Sequence, residues 1–226
     1  MLLKLAPFAI TTAIYFYFMS TLEPSLFALV VKCLPIFSLA GAVFSSTDKR
    51  TGSGIHKLIF YALIASSVGD ACLVWDKSFP LGMVAFAIAH CFYIKAFGFK
   101  PLKPGIGLAL YATAGLILLK ILPNIKDPII LNGIPVYCIF LTTMSWRALA
   151  RATDGPDAWS WSKTLCGVGS LLFIFSDTMI CFHDLQNPVP YGRFLIMSTY
   201  YAAQLGLALS IQSSSNSGYR SAKKKK

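Results

Sequence analysis

The sequence predicts an all-α fold, a polytopic membrane helix bundle with about eight transmembrane helices. Hydrophobic residues make up 56% of the 226 residues and charged residues only 13%, more apolar surface than a soluble domain of this size can bury. Apolar stretches recur along the whole chain, and a helix of about 20 residues crosses roughly 30 Å of hydrocarbon. Helices are expected because each segment in lipid must satisfy its own backbone hydrogen bonds. The stretches are 5–22, 26–45, 55–75, 79–98, 103–122, 129–149, 163–182 and 191–212.

Short connections rich in turn formers and charged residues separate these stretches. They fall at 23–24, 48–54, 76–80, 100–105, 123–128, 150–162 and 183–190. Because they leave no room for a separate soluble domain, we expect one transmembrane domain over 1–212 and a cytosolic basic tail over 213–226. The opening segment MLLKLAPFAI lacks a small-residue cleavage site, which favours a retained first span over a removed signal peptide.

The basic residues indicate the orientation of the bundle. Most of them lie at the end that holds the N-terminus, whereas the other end carries mainly Lys77, Lys126 and Arg193 beside acidic residues. By the positive-inside rule both termini are cytosolic, and the even number of spans agrees. The net charge of +11 therefore reflects topology and the basic tail, and it needs no nucleic acid as a partner.

The last residues, SAKKKK, place lysines at the third and fourth positions from a cytosolic C-terminus. This pattern resembles the dilysine retrieval signal of endoplasmic reticulum membrane proteins, and it predicts that location. The alternative is a polybasic tail attracted to anionic lipid.

A weak internal repeat underlies the spans. The segments GDACLVWDKSFP and SDTMICFHDLQNPVP each place an aspartate late in a span, before an acidic turn and the start of the next span. A tyrosine follows at a matching offset, Tyr93 after Asp70 and Tyr200 after Asp177, and the prolines of KCLPIF and NGIPVY extend the match. The repeat predicts two parallel halves of four helices, which commonly meet at a shared central site. Chance similarity between apolar helices is the alternative.

Three ionisable side chains fall in one layer inside the predicted membrane. Asp70 lies on the order of 8 Å from the nearer end of its span at ~1.5 Å per residue, and Asp177 and Lys32 come out at similar depths. A charge at the bilayer centre costs about 2.5–3.5 kcal/mol on insertion scales, so such residues are usually paired or functional. Lys32 is long enough to snorkel to the surface, but the two aspartates are too short. For the aspartates, we favour a functional role over a purely structural polar contact.

Two carboxyls near one ammonium favour different protonation states, because the carboxyl nearer the cation stays ionised while the other keeps its proton. That pair would supply a general acid and a general base in an apolar cavity. Polar residues of the neighbouring spans are candidates to complete the site: His90, Tyr93, Tyr200, Tyr201 and Gln204. A lone histidine in a helix also commonly does no more than bond a neighbouring helix.

Other chemistries fit poorly. The sequence has no G-x-S-x-G elbow, no glycine-rich phosphate loop, and too few intramembrane histidines for a zinc site, so we expect no metal and no cofactor. These residues leave an enzyme and a proton-coupled transporter about equally supported. A structural or lipid-binding membrane protein is the third alternative.

Five ordered blocks of this sequence resemble the YhhN-type lysoplasmalogenase family, and the resemblance runs from about the second span to the eighth. The blocks are VKCLP, GDACLVW, LGMVAFAIAHCFY, GSLLFIFSD and STYYAAQL. Arg147, the first span and the terminal lysines have no counterpart in this pattern.

The resemblance implies an enzyme of the endoplasmic reticulum membrane that hydrolyses the vinyl-ether bond of lysoplasmalogens with choline or ethanolamine heads. It would release a fatty aldehyde and the glycerophospho-base, with lysophospholipid and membrane lipid as its partners. Asp70 and Asp177 would be the catalytic acid and base, in either order. The implied substrate-binding residues are Lys32, His90, Tyr93, Tyr200, Tyr201 and Gln204. An oligomer is compatible with these features, but nothing in them requires one.

Overall fold

The computed structural model describes residues 2–46 and 54–211. Within these ranges the chain forms eight α-helices and three short 3-10 turns and contains no β-strand, which confirms the all-α fold class. The helices are α1 (Leu2–Phe18), α2 (Leu26–Ser45), α3 (Gly54–Cys72), α4 (Phe79–Phe97), α5 (Pro104–Ile121), α6 (Pro128–Ala152), α7 (Trp161–His183) and α8 (Gly192–Leu209). The predicted basic tail over 213–226, with its lysines, lies outside the described residues.

Six helices, α2 to α7, are long and apolar enough to cross a membrane. The helices α1 and α8 have 17 and 18 residues, and they complete the same bundle. The chain is therefore a multi-pass membrane protein, as predicted. Helix α6 continues to Ala152, three residues past the predicted end at 149, because Ala150, Arg151 and Ala152 are all strong helix formers.

Local sequence fixes several helix starts. The Ser25 side chain accepts a hydrogen bond from the Ala28 amide at 3.2 Å and caps α2. Asp127 caps α6 in the same way, since its Oδ1 accepts from the amides of Ile129 and Ile130 at 2.7 and 3.2 Å. The helices α4, α5 and α6 also carry a proline in the first turn, where a missing N–H costs nothing.

Consecutive helices run antiparallel, so the connections alternate between two ends of the bundle. At one end, Lys4 Nζ near the start of α1 donates to the Ser45 carbonyl at the end of α2 over 2.7 Å. We call this the basic end, and it also carries Lys100, Lys103, Arg151 and Lys163. The opposite end, here the acidic end, carries Glu23, Asp76, Asp127 and Asp184.

The order of helix packing is the same in the two halves of the chain. In the first half α1 packs on α2, α2 on α3, and α3 on α4; in the second, α5 packs on α6, α6 on α7, and α7 on α8. The halves join in equivalent ways, because α4 packs on α6 and α8 packs on α2. This arrangement agrees with the predicted pair of parallel four-helix repeats.

Helices α7 and α8 approach each other backbone to backbone. A Cβ atom added to Gly206 would lie 2.4 Å from the Leu165 carbonyl oxygen, and one added to Gly169 would lie 2.9 Å from the Ala203 carbonyl oxygen. Small residues let membrane helices meet backbone to backbone, where dispersion forces replace the hydrophobic effect as the source of attraction. This contact holds the helix that carries Asp177 against the helix that carries Tyr200.

Arg147 of α6 organises the α4–α5 connection at the basic end. Its fully buried guanidinium donates to the carbonyls of Gly98, Pro101 and Leu102 at 2.6, 2.5 and 3.0 Å. The guanidinium carbon also lies 5.5 Å from the centre of the Phe99 ring. Arg147 therefore ties the start of α5 to α6.

Replacing Gly206 with alanine is expected to destabilise the bundle by about 1–3 kcal/mol, because backbone must move to admit the methyl group. A thermal melt in detergent micelles measures the effect. The matched control is Gly41→Ala on α2, where an added Cβ meets no atom within 4 Å. Equal melting temperatures for the two variants would contradict the close contact.

Candidate active site

A cavity of about 770 Å³ lies inside the bundle. Its wall contains four of the predicted site residues, one on each of four helices: Lys32 on α2, Asp70 on α3, Asp177 on α7 and Tyr200 on α8. The predicted layer of ionisable groups therefore surrounds one shared space.

Asp70 is held by a chain of hydrogen bonds that crosses three helices. The Tyr200 hydroxyl donates to Asp70 Oδ2 at 2.6 Å, and the Tyr200 oxygen in turn accepts from Gln204 Nε2 at 3.3 Å. The Tyr93 hydroxyl donates to Gln204 Oε1 at 2.7 Å. All four side chains are buried, so the carboxyl of Asp70 has a fixed position in the cavity wall.

Asp177 is held by a second chain of hydrogen bonds, which begins at His90, one helical turn before Tyr93 on α4. The Tyr137 hydroxyl of α6 donates to Asp177 Oδ2. His90 Nε2 of α4 lies 2.9 Å from the Tyr137 oxygen. Because Tyr137 uses its only proton on Asp177, the geometry fits His90 as the donor of that second bond.

Helix α4 is the origin of both chains. His90 and Tyr93 are three residues apart and both fully buried, which places them on one face of the helix as the sequence predicted. The aromatic rings of Phe86 and Phe173 pack edge to face with Tyr200, with ring centres 5.9 and 5.6 Å apart. A rigid aromatic wall therefore fixes the orientation of the hydrogen-bonded groups.

Lys32 lies on the Asp70 side of the cavity. Its Nζ donates to the carbonyl of Leu73, three residues after Asp70, at 3.3 Å. Its own carbonyl accepts from the Tyr201 hydroxyl at 2.9 Å, which anchors α2 to α8 at this level. The Lys32 side chain therefore ends at the end of α3 that carries Asp70.

The cavity reaches the acidic end of the bundle, where further charged side chains line it. These are Glu23, Asp76, His183, Asp184 and Arg193. Burial raises the pKa of the Asp184 carboxyl, while the charges of His183, Arg193 and Lys32 lower it. We call this charged part of the cavity the mouth.

The other predicted site residues do not line the cavity. His90, Tyr93, Tyr201 and Gln204 lie behind its wall and reach it through hydrogen bonds, so direct contact with a substrate stays a prediction for them. The structure adds Tyr137, which lines the cavity and contacts Asp177. A signal for it was present, because it is a polar residue inside the NGIPVY motif of an apolar span.

The arrangement favours proton transfer to and from a bound molecule. Each carboxyl accepts its tyrosine hydrogen bond on Oδ2, and these two tyrosines do not bond to Oδ1. Asp70 is 2% exposed, and Asp177 is the more accessible of the two. Two carboxyls held separately in one mostly apolar cavity can take different protonation states.

Comparison with known proteins gives a family for this chain. The family model described as the YhhN family matches residues 27–211. The chain belongs to the YhhN family. The matched range includes Lys32, Asp70, Tyr137, Asp177 and Tyr200 of the cavity wall, whereas Tyr15 of α1, which also lines the cavity, lies outside it.

The chain is also similar to three named proteins. It is similar to lysoplasmalogenase TMEM86B of Homo sapiens, with 38% identity over 91% of this chain and 85% of that protein. It is also similar to lysoplasmalogenase TMEM86A of Bos taurus, with 38% identity over 92% and 88%. For lysoplasmalogenase TMEM86A of Homo sapiens the identity is 37% over 92% and 88%. No solved structure matches the chain.

Replacing Tyr137 with phenylalanine is expected to lower stability by about 1–3 kcal/mol, because both Asp177 and His90 lose a buried partner. The control is Tyr111→Phe on α5, whose hydroxyl meets Thr143 Oγ1 at an exposed position. Melting temperatures in the same detergent compare the two variants. A Tyr137 variant as stable as the Tyr111 variant would show that the hydrogen bonds from His90 through Tyr137 to Asp177 do not stabilise the folded protein.

Proposed function

We propose that this chain is a lysoplasmalogenase, a hydrolase of the vinyl-ether bond in 1-alkenyl lysophospholipids with choline or ethanolamine heads. The observation that carries the proposal is the pair of carboxyls, Asp70 and Asp177, each held by a tyrosine on the wall of one cavity inside a membrane bundle. The names of its YhhN relatives support the same reaction. The products are a fatty aldehyde and the glycerophospho-base.

The chemistry of a vinyl ether requires an acid first. The bond resists base, but a proton added to its β carbon gives an oxocarbenium ion, which water captures at the neighbouring carbon. Glycosidases use a carboxyl pair for a transition state of the same character. An acid and a nearby carboxylate are therefore the groups that the reaction needs.

We assign the acid to Asp177 and the base to Asp70. Lys32 lies on the Asp70 side of the cavity, with its Nζ bonded to the carbonyl of Leu73, so its ammonium would stabilise negative charge on Asp70. The side chain that bonds to Asp177 is the uncharged hydroxyl of Tyr137, which is bonded in turn to His90. Asp177 is also the more exposed of the two carboxyls. This assignment is our proposal for one of the two orders that the sequence left open.

The steps balance with substrate and water alone. Asp177 gives its proton to the β carbon, and the electrons of the C=C bond form the new C–H bond. Water adds to the oxocarbenium carbon while Asp70 takes a proton from it, which gives a hemiacetal. The hemiacetal then collapses: its hydroxyl proton returns to Asp177, the bond to the glycerol oxygen breaks, and that oxygen takes the proton from Asp70. Both carboxyls regain their starting states.

The remaining predicted residues act at different distances from the reaction. Lys32 and Tyr200 line the cavity and are placed to meet the substrate. Tyr93 and Gln204 position Asp70 through Tyr200, and His90 positions Asp177 through Tyr137. The Tyr201 hydroxyl positions Lys32 by donating a hydrogen bond to the backbone carbonyl of Lys32. We propose no metal and no cofactor.

We propose the endoplasmic reticulum membrane as the location, with both termini in the cytosol and the acidic end in the lumen. The distribution of basic residues and the terminal SAKKKK support this orientation. In that case the mouth of the cavity faces the lumen.

Asp70→Asn and Asp177→Asn are each expected to lower aldehyde release from 1-alkenyl lysophospholipid by about 100-fold or more, because a positioned acid or base typically contributes this much. The assay uses purified protein in detergent with the 1-acyl lipid as substrate control. Asp157→Asn, an exposed carboxyl at the basic end, is the matched control and should keep full activity. Full activity in either cavity variant would remove that aspartate from the reaction.

The same assay in D₂O tests the first step. Because the proton adds to the β carbon, the aldehyde should carry one deuterium next to its carbonyl, read by mass spectrometry after immediate reduction to the alcohol. A proton-coupled transporter would instead move lipid across sealed vesicles and release no aldehyde.

Orientation is tested by labelling. Pro156→Cys at the basic end should react with a membrane-impermeant maleimide in intact microsomes, and Asn187→Cys at the acidic end should react only after permeabilisation. The unsubstituted protein, with its six native cysteines, measures the background. The reverse pattern would place the mouth in the cytosol.

A further inference from the structure

Beyond the carboxyls, the cavity continues as an apolar arm between α5, α6 and α7. Its deeper wall is formed by Leu110 and Ala114 of α5, Leu141 of α6, and Leu171 and Ile174 of α7, with Thr113 and Thr142 beside them. The proposed reaction at Asp70 and Asp177 uses none of these side chains. The arm therefore needs an explanation of its own.

The cavity extends deep into the bundle along α5. Its lining residues on this helix run from Ile121 at the acidic end to Leu110. At ~1.5 Å per residue this distance is about 16 Å, measured from the mouth and past the level of the carboxyls. A bilayer core is roughly 30 Å thick, so the cavity reaches about half of that depth, the thickness of one leaflet.

The polarity of the cavity changes along the same direction. The charged residues of the mouth, among them Glu23, Asp184 and Arg193, lie at the acidic end. Leu110, Leu141 and Ile174 lie deeper, toward the middle of the bundle, and they are aliphatic. The carboxyls lie between these two regions. An amphiphile with one hydrocarbon chain would place its head in the mouth and its cleavable bond at the carboxyls.

Helices α1 and α5 hold equivalent places in the two halves, and both border the cavity. On α1 the lining side chain is aromatic: Tyr15 packs edge to face against Tyr201, with ring centres 5.3 Å apart. On α5 the inward residues Leu110 and Ala114 are aliphatic. Helix α5 thus gives the cavity an aliphatic side.

We propose that this arm is the binding site for the hydrocarbon chain of the substrate, and that Leu110 and Ala114 determine which chain lengths fit. The proposal rests on the lysoplasmalogenase function proposed above. It assigns the substrate a single extended chain, held by α5 on one side and by α6 and α7 on the other. Helix α5 is a specificity element, whereas the carboxyls belong to the other helices.

The test compares kcat/KM for a series of 1-alkenyl lysophospholipids that differ only in chain length. Ala114→Phe fills the arm, so kcat/KM for the longest chains should fall about tenfold or more, while the shortest chains change little. The matched control is Ala112→Phe on the exposed face of α5, which adds the same ring outside the cavity and should leave the whole profile unchanged.

Leu110→Ala provides the opposite change. By enlarging the arm, it should move the optimum toward longer chains, a result that a merely damaged protein would not give. An unchanged profile in both cavity variants, or a loss equal at all lengths, would overturn the chain site while leaving the hydrolase activity intact. Absence of aldehyde from every lipid with the unsubstituted protein would instead overturn the proposed function, and the chain site would fall with it.

Discussion

The structure depends on the hydrogen bonding of two carboxyl groups inside an apolar bundle. A carboxyl removed from water needs partners at close range, and here tyrosines supply them, Tyr200 for Asp70 and Tyr137 for Asp177. Each tyrosine is held in turn by a residue that leads back to α4. The positions of α3, α6, α7 and α8 around the cavity are therefore coupled through one central helix. The close backbone contact between α7 and α8 at Gly169 and Gly206 also keeps these two helices in place beside the cavity.

Much of this architecture could be predicted from the sequence. Apolar stretches determine where membrane helices lie, so all eight helices fall near their predicted positions, and α2 begins and ends at the predicted residues. Polar residues inside those stretches, Asp70, Asp177, Lys32 and Tyr200, proved to share one cavity. Their partners could not be predicted, because the sequence does not show which helices are neighbours. The repeat links Asp177 to Tyr200, yet Tyr200 bonds Asp70, 130 residues away, and Asp177 bonds Tyr137.

The shape of the cavity ties the proposed chemistry to its membrane setting. A charged mouth, a pair of carboxyls and an aliphatic arm follow one another along a single space. A lysophospholipid has the same order of polarity along its length, from a charged head to an aliphatic chain. Arg147 has a place in this account although it lies far from the carboxyls, because it fixes the α4–α5 connection from which α5 begins. A helix anchored in this way can border an open space without collapsing into it.

The doubled architecture also bears on how such a site could arise. In an ancestral pair of identical four-helix subunits, the two aspartates would be related by symmetry, and neither would be favoured over the other as the ionised one. Within one chain each half changes independently. Three residues before the matching prolines Pro35 and Pro135, one half has Lys32 and the other has Asn132. Fusion of two copies, followed by a single cation in one of them, would convert two equivalent carboxyls into two unequal ones.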